Sequence, residues 1–161
     1  MRNRKRKTYF ERGEDMPAPV VAEVMRRVHF SEADPMGIVW YGRYPLYFEE
    51  ASEKLGRLCG LTYKDFYDTG LRAPIVELHT DYYRSLFLDE EFKVRASLIW
   101  HEGSRLNTEY GIYKMDGSLA ATGYTVQLLT EAESGEVCIV SPSLLDKCRS
   151  RWKTGEFHQA L

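Results

Sequence analysis

The chain has 161 residues, with 22 Lys and Arg against 24 Asp and Glu, a net charge of −2, and 43% hydrophobic side chains. That length fits one domain whose core needs no staples, and the composition is too apolar and aromatic for a disordered chain. No apolar run reaches the ~18 residues that a membrane span needs, and the near-neutral charge argues against a generic nucleic-acid binder. The charge is uneven, however. Arg2, Arg4, Lys5, Arg6 and Lys7 crowd the start, and setting them aside leaves 17 basic against 24 acidic residues, a net of −7.

The basic start opens no secretory signal, because residues 8–19 are polar and broken at Pro17 and Pro19 instead of apolar. Residues 1–19 therefore read as a basic and polar N-terminal arm, and residues 20–161 as a single domain. Residues 20–30 alternate, with Val20, Ala22, Val24, Val28 and Phe30 on one face and Arg26 the polar exception there. That is a strand with one buried side. Residues 31–43 form a loop punctuated by Asp34-Pro35 and Gly37.

A long helix is predicted over 45–59. Pro45 suits the first helical position, and Glu49 and Glu50 complement the positive end of the helix dipole. Phe48, Ala51, Leu55, Leu58 and Cys59 recur on one face at the helical period, and Gly60 supplies the stop. A short helix is expected over 62–69. Strands follow over 74–84, 92–100, 105–115 and 119–130, separated by turn signals such as Met115-Asp116-Gly117-Ser118. Residues 137–141 read as a further strand, and residues 142–151 as a terminal helix capped by Ser141. Short turns cannot make parallel crossovers, so these strands pair antiparallel. The sheet must bury its apolar face, and the long helix is the available cover. The fold class is α+β, with one helix wrapped by an antiparallel sheet.

Cys59, Cys138 and Cys148 are odd in number and widely spaced, which suggests three free thiols in a reducing cytoplasm. The chain has no Gly-x-Ser-x-Gly elbow, no Gly-rich nucleotide loop and no His-Glu-x-x-His pair. His29, Glu32 and Asp34 match no metal-ligand spacing. On local reasoning Asp34-Pro35-Met36-Gly37 is either an ordinary turn, with Asp34 bonding its own backbone, or a turn that presents a working carboxylate.

The stretch DPMGIVWYGRYPLYFEEASEKLGRLCGL, residues 34–61, resembles the signature of the 4-hydroxybenzoyl-CoA thioesterase family of hotdog-fold enzymes. That pattern has two acidic residues one apart, a glycine three residues on, Ile or Val, Val, two aromatics and a closing Tyr. Glu32 stands at the first acidic position, a departure from Asp. Asp34, Gly37, Ile38-Val39-Trp40-Tyr41 and Tyr44 fill the rest, and Phe48 and Glu49 of the helix are also similar to the family's. The likeness runs in order over about residues 20–142.

The resemblance implies a hotdog fold, with an antiparallel sheet of about five strands around one long central helix. It implies homodimers joined edge to edge, often paired into homotetramers, with active sites at subunit interfaces. It implies a cytoplasmic enzyme that hydrolyses an acyl-CoA thioester, with no cofactor, no metal and no nucleic-acid partner, coenzyme A being part of the substrate. By the resemblance Asp34 is the catalytic carboxylate, as nucleophile or general base, and the backbone N–H of Tyr41 is the oxyanion donor. Gly37, Trp40, Arg43, Tyr44, Arg84 and Ser104 are candidate substrate-binding residues, and Arg95 and Arg105 further phosphate contacts. Tyr41 stands where one branch of the family has His, which points to the branch acting on aromatic acyl groups. Glu77 and His79 share a strand face and line the acyl pocket, or form a satisfied buried pair or a surface pair. Two other functions are compatible with the chain: a non-catalytic acyl-CoA-binding hotdog module, and an acyl-carrier-protein thioesterase whose acidic partner meets the basic arm.

Overall fold

The computed structural model describes residues 8–158; the basic cluster at Arg2 to Lys7 lies outside them. β1 (Val20–Arg27) is followed by α1 (Tyr44–Cys59), α2 (Tyr63–Asp68), β2 (Leu71–Arg72), β3 (Ile75–Tyr82), β4 (Glu91–Ile99), β5 (Arg105–Lys114), β6 (Leu119–Leu128), β7 (Thr130–Glu131) and α3 (Ser143–Lys153). Five strands form one sheet in the order β1-β4-β5-β6-β3, with antiparallel pairing at every step. β2 and β7 make a separate two-stranded ribbon.

Period-two alternation decides which side of each strand meets the helix. Phe92, Val94, Ala96 and Leu98 of β4 are buried on the inner face, as are Leu106, Tyr110 and Ile112 of β5. α1 lies across that face. Its buried residues Tyr44, Tyr47, Phe48, Ala51, Leu55 and Cys59 make most of the predicted stripe, widened by two tyrosines, with Leu58 only partly buried beside it. Pro45 takes the second helical position, and Gly60 ends the helix in the left-handed conformation at φ 71°. Burying side chains of this size is worth about 1.5–3 kcal/mol each. The Phe48 ring stacks on Tyr110 at 4.5 Å and lies over Gly123 of β6. A Cβ at Gly123 would stand 2.6 Å from that ring and 2.4 Å from the His79 carbonyl oxygen. The sheet is a half-barrel around the helix, which is the hotdog architecture.

Two predicted elements differ. Residues 137–141 form no strand: Val137 makes one bridge to Thr130, and Ile139 and Val140 then project into solvent. Their β-like composition has no neighbouring ladder to join. Ser141 does not cap α3, whose N-cap is Pro142. The Ser141 hydroxyl instead donates to Asp146 and accepts from Arg149, bracing the first two turns from the side. α3 buries Leu145, Cys148 and Trp152, and the Trp152 indole donates to the Ala18 carbonyl at 2.7 Å.

The polar segment before β1 is also more integrated than composition suggests. The amides of Tyr9 and Phe10 both donate to Glu109 Oε1, at 2.8 and 3.1 Å, and Arg12 pairs with Glu109 Oε2 at 2.6 Å. The Tyr9 hydroxyl reaches Asp81 on β3 and Thr122 on β6, both at 2.6 Å. Residues 9–12 thus strap the outer face of the sheet across three strands. They also explain how Glu109, a carboxylate only 1% exposed, is tolerated in mid-sheet.

Candidate active site

The segment between β1 and α1 folds back on itself. Ala33 bridges Val39, Asp34 N–H donates to Ile38 C=O at 2.8 Å, and Trp40 N–H donates to Glu32 C=O at 3.0 Å. Gly37 closes the tip at φ 76°, a left-handed conformation that costs glycine nothing and other residues more. The hairpin is docked on the β3–β4 connection through Val39 N–H to Leu86 C=O and Leu88 N–H to Gly37 C=O, both 2.9 Å.

Asp34 sits at the tip. Its Oδ1 accepts the Met36 amide at 2.8 Å and, more weakly, the Ile38 amide at 3.5 Å. This is the self-bonded turn expected from Asp-Pro-x-Gly, and it also fixes the carboxylate. Oδ2 has no partner among the described residues and remains available. The side chain is half-buried, with Phe30 and Met36 exposed nearby in sequence.

Below the tip lies a buried electrostatic anchor. Glu32 is 6% exposed, and both its oxygens accept from Arg26 Nη2 at 3.0 Å. Glu32 Oε1 also takes the His29 amide at 2.9 Å. The buried Tyr47 hydroxyl approaches the same carboxylate outside ideal hydrogen-bond geometry. Burial alone would raise this carboxyl, but Tyr47, the His29 amide and Arg26 outweigh it and hold it below its ordinary value. Arg26 also pairs with Glu50 of α1, which ties strand, hairpin and helix together.

The hairpin leads into a 3-10 turn, Tyr41–Arg43, that runs directly into α1. Arg43 N–H donates to Trp40 C=O at 2.9 Å. The Tyr41 N–H, at the start of the turn, has no acceptor among the described residues, so it is a free donor beside a helix N-terminus. The rings of Trp40 and Tyr41 are exposed and 5.2 Å apart. Tyr44 is buried and packs edge-on against Tyr82 at 4.9 Å; its phenol is pushed up to about 12, first by burial and then by Tyr82.

Asp34, Gly37, Trp40, Tyr41, Arg43 and Tyr44 therefore belong to one excursion, with Asp34 at its tip and Tyr41 at its foot. Arg43 is spent on the fold, donating to the Ser31 carbonyl at 3.1 Å. Arg84 is exposed beyond the end of β3, its amide held by Ala120 C=O. Ser104 lies at the other end of the sheet, beyond nine-residue β4, about 30 Å away at 3.3 Å per residue. One chain does not bring it to Asp34. Arg95 pairs with Glu23 and Arg105 donates to Asn107, both on the outer face. Glu77 and His79 also face outward, Glu77 to Tyr124 and His79 to Asp81, so they form surface pairs and not a pocket lining.

Sequence reasoning missed Tyr82, whose hydroxyl donates to the Tyr41 carbonyl at 2.8 Å. Alternation along β3 places Tyr82 on the inner face, but nothing local names its partner 41 residues away. Also unforeseen is the space beside α1. The helix covers the β1–β4 side of the sheet and leaves a cavity of about 1070 Å³ toward β5, β6 and β3, lined by Phe48, Glu49, Ser52, Leu78, Tyr110 and Thr125 among others. No helix among the described residues is long and apolar enough to cross a membrane.

Comparison with known proteins bears on this geometry. The sequence pattern of the Thioesterase-like superfamily matches residues 28–148. A candidate esterase of Aquifex aeolicus is 34% identical over 95 residues, 59% of this chain and 74% of the relative. A 1,4-dihydroxy-2-naphthoyl-CoA hydrolase of Thermosynechococcus vestitus is 26% identical over 110 residues, 68% of this chain and 75% of the relative. Among solved structures, the DHNA-CoA thioesterase of Staphylococcus aureus superposes with a TM-score of 0.75 at 22% identity, covering 88% of this chain and 96% of that one, and so shares the fold. The match is to the broad superfamily and does not single out the 4-hydroxybenzoyl-CoA family that the signature resembles. With three quarters of its length matched in order, from the end of β1 into α3, this chain belongs to the Thioesterase-like superfamily and carries its hotdog fold.

Proposed function

We propose that the protein is an acyl-CoA thioesterase that cleaves an aromatic acyl-CoA to the carboxylic acid and free CoA. The observation that carries the reading is the Asp34 carboxylate. One oxygen is held by backbone amides and the other is open, on the excursion whose foot presents the free Tyr41 N–H at a helix start. Asp34 attacks the thioester carbonyl, or takes a proton from the water that does. The Tyr41 amide stabilises the negative charge that develops on the carbonyl oxygen. The CoA thiolate then leaves readily, since a thiol pKa lies near 8.5. On the direct-attack route a water then hydrolyses the acyl–Asp34 anhydride, releasing the carboxylic acid and restoring the Asp34 carboxylate. No cofactor is required by this chemistry. Two of the relatives are named for 1,4-dihydroxy-2-naphthoyl-CoA, whose acyl group is aromatic. The cavity walled by Phe48 and Tyr110 has room for such a ring. Within one chain neither Asp34 nor Tyr41 lines it, so a second copy would have to bring cavity and site together. 4-Hydroxybenzoyl-CoA and short acyl-CoAs belong in the same panel.

The functional unit is a homodimer, or a pair of dimers. β3 is an edge strand, and Ile75, Val76, Leu78 and Tyr82 on it are all about half exposed. An apolar edge of this length is a template for another strand. A second copy paired there would close the open side of the cavity.

The test is thiol release from aromatic and short aliphatic acyl-CoAs, comparing wild type with Asp34→Asn. The expected result is turnover by wild type and a loss of ~10²-fold or more in kcat for the variant. Full activity in Asp34→Asn removes the site assignment. A wild type that binds CoA esters without hydrolysing them supports the non-catalytic module instead.

A further inference from the structure

We infer that Tyr82 is a positioning residue for the oxyanion donor. The inference rests on the proposed role of the Tyr41 N–H. The 3-10 turn that carries this amide is short, exposed and built around Gly42, and its geometry must come from outside it. Two bonds supply it. Arg43 N–H donates to Trp40 C=O, the carbonyl of the same peptide unit as the Tyr41 N–H, so this amide points away from the turn. The Tyr82 hydroxyl donates to Tyr41 C=O at 2.8 Å and fixes the next peptide unit. Tyr41 is therefore pinned on both flanks while its own N–H stays free.

Tyr82 is well placed to act as a fixed post. It ends β3, whose register with β6 pairs it with Ala121. Its ring packs edge-on against Tyr44, the first residue of α1, at an interplanar angle of 88°. One side chain thus references the turn to both the sheet and the helix. A hydroxyl bonded to one peptide carbonyl also polarises the N–H of that unit, here Gly42. A Cβ at Gly42 would stand 2.3 Å from the Trp40 ring and would displace it. The turn is held in one shape by Trp40 packing on one side and by the Tyr82 bond on the other.

The experiment is Tyr82→Phe, which keeps the ring on Tyr44 and removes only the donor. The expected result is a fall of about 10-fold in kcat with KM within about 2-fold, because a misplaced oxyanion donor costs transition-state stabilisation and not ground-state binding. The second readout is the infrared carbonyl band of an acyl-CoA bound in the Asp34→Asn background. Tyr82 should hold that band at lower frequency, and Tyr82→Phe should raise it; a merely structural role would leave it unmoved. A 3,5-difluorotyrosine at position 82 should add a descending alkaline limb to kcat, since a phenolate cannot donate. Unchanged kcat and carbonyl band, or a change confined to KM, overturns the role of Tyr82 while wild-type hydrolysis still upholds the proposed function. A wild type that cleaves no thioester removes the proposed function itself, whereas the carbonyl band continues to report on Tyr82.

Discussion

Replacing Glu32 with Ala tests whether the hairpin that carries Asp34 is anchored from below. The carboxylate is 6% exposed and accepts two bonds from Arg26 and one from the His29 amide. Removing one member of a buried ion pair costs about 3–5 kcal/mol when the other is stranded. Arg26 is not wholly stranded, because its side chain is 19% exposed and keeps Glu50, so about half of that cost applies. The His29 amide loses its acceptor, which adds about 1 kcal/mol. The expected loss is therefore about 3 kcal/mol, or a fall in Tm of roughly 6–12 °C for a domain of this size. Urea and thermal unfolding of wild type, Glu32→Ala and Glu32→Gln would measure it. The pH dependence follows from the direction of the shift. The folded carboxyl lies below its ordinary value, so its contribution is fully present above the unfolded value of 4.5 and is lost as pH falls through the folded one. The wild-type advantage over Glu32→Gln should shrink in that acid range. A loss below about 1 kcal/mol at neutral pH, or an advantage that grows in acid, would refute the reasoning.

Two further outcomes follow from surfaces described above. Glu109→Gln removes the charge that gathers the Tyr9 and Phe10 amides and Arg12, so tryptic cleavage after Arg12 should accelerate several-fold; an unchanged rate would mean that the strap is held elsewhere. The double variant Val76→Lys with Leu78→Lys places two charges on the apolar edge of β3 and should convert a dimer to a monomer by light scattering. A monomeric wild type would remove the proposed assembly.

The sequence made the helix and the inner faces legible for plain reasons. Phe48, Ala51 and Leu55 repeat at a period that only a helix satisfies, and Phe92 to Leu98 alternate without a break. Asp34 and Tyr41 were singled out through a signature, and the structure adds the turn that holds them. What stayed hidden was non-local. The Ile139-Val140 pair reads as strand until it is seen that no neighbour lies beside it. Glu109 reads as an ordinary outward residue on a strand until the backbone of residues 9 and 10 closes over it. Tyr82 is one of four aromatic or charged residues in a row, Asp81 to Arg84, and its hydroxyl finds its acceptor only because the β3–β4 connection and the hairpin share a wall.

The strap has a consequence for the order in which the molecule can assemble. Tyr9 and Glu109 are 100 residues apart. Closing a flexible loop of that length costs about 4 kcal/mol by the logarithmic rule, before any constant. Once β1 is fixed in the sheet, only the ten residues between Tyr9 and Val20 remain to be closed, for about 2 kcal/mol. Residues 9–12 must therefore wait for β5 and for the sheet that organises it. The strap is the last part to settle, and whatever disturbs it meets a sheet that is already finished.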